Sequence, residues 1–426
     1  MNSQSNSKSN RFNLLKSQII NNKTSINSKS YPLKKLDDDV VLVSYARTAL
    51  AKGNKGSFKD TQPELLSKTV IQECIKRAGV KSELVEEVVF GNTLGVGSNF
   101  FKLRMSQFLA GLTDKTSFMT INRLCSSGLQ AVMNLAYSIE GGQVECGIAG
   151  GIECMSLTDM NSTVDPESIH EEVFENENAR NCMVSMGMTS ENVIDKFGLK
   201  RDDLDKFAFD SFKKAEVAQK KGNFKNEIVA VKTKIKDKDG NEKEVTVTED
   251  EGIRPTTLEG LMKLKPSFKK DGATTAGNSS QITDGAAAVM LMKRSLANKL
   301  GVKILGRILS YSVDGVPPEI MGIGPAFAIP SALAKAGLKT ENIDVFEVNE
   351  AFASQALYCC KKLNLPLERV NPNGGAIALG HPLGCTGARM ICTLFNELER
   401  SNKKIGLVSM CIGTGMGAAA IFEREN

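Results

Sequence analysis

The chain has 426 residues, of which 41% are hydrophobic and 24% charged, so a largely disordered, collagen-like or coiled-coil chain is excluded and two or three structural units are expected. The formal net charge of +5 arises in residues 1–36, which hold Lys8, Arg11, Lys16, Lys23, Lys29, Lys34 and Lys35 and no acid. Removing those seven from the 54 basic residues leaves fewer than the 49 acidic ones, so the body is near neutral, unlike a surface built for nucleic acid.

Residues 1–36 are rich in Ser, Asn and Lys. A disordered tail is one reading; a basic, acid-free, Ser-rich composition favours a targeting segment, assigned to residues 1–37. The fold is expected to begin with a buried strand over 40–43, followed by a helix over 63–78 and a strand over 88–91. A helix near 103–110, a strand at 117–121, a helix over 126–140 and a strand over 148–151 complete this stretch. Unpunctuated apolar strands alternating with helices predict a mostly parallel sheet covered on both faces. Residues 156–275 are more polar, with a predicted hairpin over 228–247 around Asp239 and Gly240; they read as an inserted, substrate-facing loop domain. Alternation resumes over 286–292 and from 304. The segments 345–348, 351–363, 406–411 and 418–423 repeat the first half in outline. The expected division is an N-terminal half over 38–300, including the insertion, and a C-terminal half over 301–426. No run of about 18 apolar residues suggests a membrane span.

Ten cysteines without a Cys-x-x-Cys pair, and only two histidines, suit free thiols in a reducing compartment rather than a disulfide framework or a zinc site. Cys125 leaves a strand and precedes the small residues Ser126, Ser127 and Gly128. At a helix N-terminus the free N–H groups and the macrodipole favour thiolate; the alternative is a small core cysteine. His381 stands among Gly and Pro in N-P-N-G-G-A-I-A-L-G-H-P-L-G (371–384), as a base or as a buried loop residue. His170, in an acidic stretch, is expected to be exposed and inert. Cys411 ends a strand before I-G-T-G-M-G, a turn whose N–H groups could hold an oxyanion. Asn349 follows a strand in E-V-N-E-A-F, as an amide facing a reacting oxygen or as a helix cap. Two thiols, an imidazole and an amide at strand ends suit acyl transfer through a thioester, with the second thiol moving a proton.

The strings N-R-L-C-S-S-G-L-Q-A-V (122–132), N-E-A-F (349–352), G-H-P-L-G-C-T-G (380–387) and C-I-G-T-G-M-G (411–417) resemble the four catalytic blocks of the thiolases. Residues 263–285 and 316–330 resemble the peroxisomal, degradative branch of that family in particular. The resemblance covers about 38–424. It implies an α/β fold of two similar βαβαβαββ halves in five αβαβα layers with an inserted loop domain, assembled as a homodimer. It further implies CoA-dependent cleavage of 3-ketoacyl-CoA to acetyl-CoA and a shortened acyl-CoA, the last step of fatty acid β-oxidation. CoA and acyl-CoA would be substrates, with no permanently bound cofactor or metal.

By the same resemblance, Cys125 would accept the acyl group, His381 would be its base, and Cys411 the acid/base at acetyl-CoA. Asn349 (through a water) and His381 would form one oxyanion site, and the N–H groups of Cys125 and Gly413 the other. Arg254, Thr257 and Ser280 match positions near the CoA nucleotide and pantetheine; Met186, Met321 and Phe352 match the acyl pocket. Cys385 replaces a small non-thiol residue of many thiolases and reads as structural. Ser185 stands where some biosynthetic relatives have His. Arg11-Phe12 and Gln18-Ile19 resemble a degenerate N-terminal peroxisomal signal, implying an import receptor as partner and a peroxisomal location; a mitochondrial presequence is the alternative. The other functional readings are a biosynthetic acetoacetyl-CoA thiolase, a condensing synthase, which would require a second active-site histidine or its equivalent, and an acyl-CoA carrier without chemistry.

Overall fold

The computed structural model describes residues 34–158, 166–237 and 239–425; most of the tail on which the targeting assignment rests lies outside them. Strands β1 (Val40–Arg47), β2 (Glu87–Gly91), β3 (Ser117–Ile121), β4 (Cys146–Cys154), β7 (Thr283–Lys293), β8 (Gly306–Gly315), β9 (Val345–Val348), β10 (Ile405–Ile412) and β11 (Met416–Arg424) share one sheet. Their order is β9-β10-β11-β8-β1-β7-β4-β2-β3. The first half contributes the run β3-β2-β4-β7-β1 and the second β9-β10-β11-β8. A parallel bridge between Phe346 and Val370 supplies the missing outer position of the second half, so both halves wind alike. Within the sheet they pair at Val41–Arg307 and Leu42–Gly306.

The sheet is not mostly parallel. β2 runs parallel to β3 and β4, and β9 to β10, but the remaining pairings of these strands are antiparallel. Continuous apolar strands report burial on both faces, and that is indifferent to direction.

Helices α1 (Pro63–Ala78), α2 (Phe100–Leu109), α3 (Ser127–Glu140), α6 (Pro325–Ala336), α7 (Ala353–Lys362) and α8 (Leu383–Arg400) make the other layers. Helix α1 starts with proline at its first position and stops at Gly79, whose φ of 68° suits glycine. Its buried Leu66, Val70, Ile71 and Cys74 form one stripe. Alternate strand residues face opposite layers. Val41, Val43, Val88 and Phe90 pack with Leu66, Val70 and Leu103 of α1 and α2. Leu42 and Val89 pack with Leu129 and Val132 of α3 and with Ile391 and Leu394 of α8. Val408, Met410 and Ala420 reach the same central cluster from the other side, whereas Leu407 and Ile421 pack outward on Ala328 and Ile329 of α6. The layers are therefore α, β, α, β, α, with α3 and α8 in the middle. Those two helices touch closely at their starts: a Cβ on Gly128 would lie 2.6 Å from the Gly384 carbonyl oxygen, so only glycine fits.

The insertion holds α4 (Met186–Phe197), α5 (Arg201–Lys220) and the hairpin of β5 (Val231–Lys236) and β6 (Glu242–Val247). Arg47, at the end of β1, ties it down. Its buried guanidinium reaches Glu227 at 2.6 Å and Asp250 at 2.7 and 2.8 Å. Leaving one partner of such a buried pair alone costs about 3–5 kcal/mol.

Candidate active site

The chemistry-bearing residues collect where the strand ends meet the starts of α3 and α8. Chain direction turns sharply at Leu124, whose φ of 47° lies in the left-handed region, a strained conformation for a branched side chain. Asn122 Oδ1 accepts from its N–H, and its carbonyl accepts from Thr93 Oγ1. Cys125 follows, 8% exposed, beside the N-cap Ser126 of α3. Its sulfur receives the backbone N–H groups of Cys125 itself and of Gly413.

The expected thiolate is not the resting state. Burial pushes the Cys125 thiol up to about 11, against the pull of the two N–H groups, and the Glu153 carboxylate adds to the rise. The helix end favours thiolate, but other segments cover the sulfur so completely that desolvation is the larger effect.

His381 is buried just before α8. Its Nδ1 lies 2.7 Å from Thr386 Oγ1 and its Nε2 3.4 Å from Asn349 Nδ2. An amide nitrogen only donates, so Nε2 presents its lone pair and Nδ1 carries the proton toward Thr386. Burial first, then the Arg389 charge, lowers His381 to about 3, so the ring is neutral and its Nε2 lone pair is unprotonated. Asn349 is not a helix cap: α7 begins at Ala353 with Phe352 at its cap. Its Oδ1 is buried without a partner, a state that native structures seldom tolerate away from a ligand or water site.

Cys411 lies at the end of β10, fully buried, within the electrostatic reach of Cys125. Its thiol donates to Gln355 Oε1 at 3.1 Å. Burial raises it well above the ordinary thiol value. Met186, Met321 and Phe352 pack with Ala351 around Cys411, so the predicted pocket residues are brought to the predicted thiol. A Cβ on Gly413 would meet Leu124 at 3.0 Å and the Met186 sulfur at 3.6 Å. Ser280 adjoins the same place through its N–H to the Ala351 carbonyl, 2.9 Å. Arg254 and Thr257 stand apart on the insertion. Arg254 lies 4.7 Å over the Phe212 ring, and exposed Thr257 accepts from Gly260 N–H at the start of a short helix. His170 is exposed.

Four side chains were missed by sequence reasoning. Thr386 orients His381. Gln355 holds Cys411. Phe268, from the insertion, meets Phe352 edge-on with centroids 6.2 Å apart. Buried Glu153 accepts from Asn92 Nδ2 and from the N–H groups of Thr93, Leu94 and Gly384, and so joins the approach to Cys125 to the loop after His381. Only Glu153 carried a signal, a lone acid ending an apolar, Gly-rich strand.

Residues 40–295 match the N-terminal domain of thiolases and residues 302–424 their C-terminal domain. The chain belongs to the thiolase family. It is 54% identical over 387 residues to the human peroxisomal 3-ketoacyl-CoA thiolase, covering 90% of this chain and 91% of that protein. The crystal structure of the dimeric peroxisomal thiolase of Saccharomyces cerevisiae superposes with a TM-score of 0.85 at 47% identity, over 92% of this chain and 99% of that one. The acetyl-CoA acetyltransferase of Bacillus anthracis superposes with a TM-score of 0.82 at 38% identity, over 91% and 99%. This thiolase thus shares more residues with these peroxisomal relatives than with that acetyltransferase.

Proposed function

We propose that this thiolase cleaves 3-ketoacyl-CoA with CoA, giving acetyl-CoA and an acyl-CoA shortened by two carbons, as the last step of fatty acid β-oxidation in the peroxisome. The observation that carries the reading is the convergence of a neutral imidazole, an amide with an unpartnered oxygen and two buried thiols, with Cys411 in the electrostatic reach of Cys125.

In the proposed sequence Cys125 gives its proton to His381 Nε2 while its sulfur attacks C3. The bond between C2 and C3 breaks, and its electron pair becomes the acetyl-CoA enolate. Cys411 gives its proton to C2. The resulting Cys411 thiolate takes the proton of the incoming CoA thiol, and that sulfur attacks the acyl-Cys125. Cys125 leaves and regains its proton from His381. Negative charge appears on an oxygen twice, which calls for two donor sets. A water held by Asn349 Oδ1 and the protonated His381 serve one oxygen; the N–H groups of Cys125 and Gly413 serve the other. Met186, Met321 and Phe352 line the acyl path, and Arg254, Thr257 and Ser280 contact CoA. CoA enters as a substrate. The division of the chain at about 300, with the insertion in the first half, assigns Cys125 to one half and His381, Asn349, Cys411 and Gly413 to the other.

Two further assignments belong to this reading. The protein acts as a homodimer. Supporting this are the dimeric yeast relative and an exposed apolar face beside the outer strand β3, where Val96 is 97% and Phe101 77% exposed next to Met105 and Phe108. An import receptor recognises residues 1–36. Fusing these to a fluorescent protein should give peroxisomal puncta that Arg11→Ala abolishes; mitochondrial labelling would remove this assignment alone. For the activity, purified protein should consume CoA and convert long-chain 3-ketoacyl-CoA to acetyl-CoA faster than it converts acetoacetyl-CoA. Confinement to acetoacetyl-CoA would replace the reading by the biosynthetic one, and binding without turnover by a carrier.

A further inference from the structure

The second thiol is held by a residue that no expectation included. Gln355 lies in the first turn of α7, 1% exposed. Its Oε1 accepts the Cys411 S–H at 3.1 Å, while its Nε2 is buried with no partner. It reaches this place because residue 322 is glycine: a Cβ there would lie 2.6 Å from Gln355 Cβ. A buried amide that satisfies one end and strands the other is costly. The surroundings offer Nε2 nothing, since Met186, Met321, Ala351 and Phe352 wall the thiol with apolar atoms.

A half-turn of the amide about its last side-chain bond exchanges the two ends. Oxygen toward sulfur suits a thiol, which donates. Nitrogen toward sulfur suits a thiolate, which only accepts. We propose that Gln355 is a positioning residue that follows the protonation of Cys411, accepting from the thiol and, after rotation, donating to the thiolate left when the proton goes to C2 of the acetyl-CoA enolate. The inference rests on the reading of Cys411 as proton carrier. No bond of Gln355 is made or broken; one proton passes from sulfur to carbon, and later one returns from the CoA thiol.

The amide answers a specific difficulty. The titratable groups whose fields reach Cys411 are the thiols Cys125, from the turn into α3, and Cys359, one helical turn beyond Gln355 on α7; both raise it, as does burial, while its own N–H lowers it. No cation is among these influences. An amide N–H is then the side-chain donor at hand for a charged sulfur, and a hydrogen bond to a charged group is worth roughly a 10- to 100-fold change in an equilibrium or rate.

The test compares Gln355→Met, which keeps the length but neither donates nor accepts well, with Gln355→Glu. The readouts are exchange of the acetyl-CoA C2 protons with deuterated water, followed by NMR, and acylation of Cys125 by an activated acyl thioester, followed by intact mass. Gln355→Met should exchange roughly 10- to 100-fold more slowly, with KM for acetyl-CoA and Cys125 acylation near those of the parent. In Gln355→Glu an ionised carboxylate opposes the thiolate, whereas a protonated one supplies an O–H. Exchange should therefore fall as pH rises, where the parent's rises. Parental exchange in Gln355→Met, or equal loss of exchange and acylation, overturns the inference. Should Gln355→Met not fold, a parental pH slope in Gln355→Glu overturns it alone. Cys411→Ala separates the layers: unchanged exchange in that variant removes the proton-carrier reading itself, whereas lost exchange there beside parental Gln355→Met removes only the role of the amide.

Discussion

Asn92 and Asn349 occupy the same place in the two halves of this thiolase and are used differently. Gly91 of β2 pairs with Gly151 of β4, and Val348 of β9 with Ser409 of β10; one residue further on stand the two asparagines. Asn92 donates to the Ile152 carbonyl and to Glu153, and accepts from Gly95 N–H and Asn99. Asn349 keeps its oxygen unpartnered and faces His381. The same register aligns Glu153 with Cys411, each two residues beyond its paired strand position. Glu153 is surrounded by N–H donors, while Cys411 has one labile partner. In the first half the polar groups satisfy one another and hold the turn. In the second an amide oxygen stays unpartnered and the thiol has a single side-chain partner.

Cys125→Ser should have the largest effect, lowering thiolysis by at least about 10³-fold. Intact mass after incubation with 3-ketoacyl-CoA and no CoA should show an adduct at Cys125; an adduct at Cys411 or Cys385 would break the assignment of the nucleophile. Next, Asn349→Ala should lower kcat by roughly 10²–10³-fold, the worth of an oxyanion contact, with a nearly parental urea midpoint. Asn92→Ala should do the converse, losing about 1–3 kcal/mol of stability for the buried partners it abandons. A destabilised Asn349→Ala beside a stable Asn92→Ala would invert the comparison.

Glu153→Gln sharpens the second contrast, between Glu153 and Cys411. It turns an NH2 toward groups that themselves donate and should cost about 1–3 kcal/mol in urea unfolding, with a smaller loss of activity per folded molecule. The smallest effect concerns Glu347, a buried acid whose first-half counterpart is Phe90. Burial raises it to about 8, only partly offset by Arg389. A raised acid stabilises the fold below its unfolded value and loses that contribution as pH rises through about 8. Glu347→Gln should therefore flatten the fall in melting temperature between pH 5 and 8, to be read by calorimetry. His381, lowered to about 3, acts in the opposite sense, its contribution fading as pH falls below the ordinary imidazole value.

The contrast between halves was only partly legible in the sequence. Helix Pro63–Ala78 was readable because proline and Gly79 mark its ends, and strand Ser117–Ile121 because S-F-M-T-I is a short β-prone run. Cys125, His381, Asn349 and Cys411 were readable as residue types at strand ends, and the geometry gathers them with Met186, Met321 and Phe352. Strand direction was hidden, because a strand buried on both faces has one pattern whichever way it runs. The charge state of the thiols was hidden too, since it depends on segments hundreds of residues away that cover them. A glutamine on a helix gives no sign that it is turned inward, and only the resemblance of N-E-A-F sets Asn349 apart from Asn92, which also follows a strand.

The sharing of one central layer by both halves has a consequence for the biography of the molecule. Cys125 emerges early in synthesis, but the Gly413 N–H that meets its sulfur belongs to the turn between β10 and β11, nearly 300 residues later, and α8 must lie between the two β layers before His381 arrives. Folding during translation proceeds from the N-terminus, so a nascent or truncated chain carries Cys125 without the Gly413 N–H at its sulfur and without His381 in place. The site is assembled only once the segment around Gly413 has joined the fold.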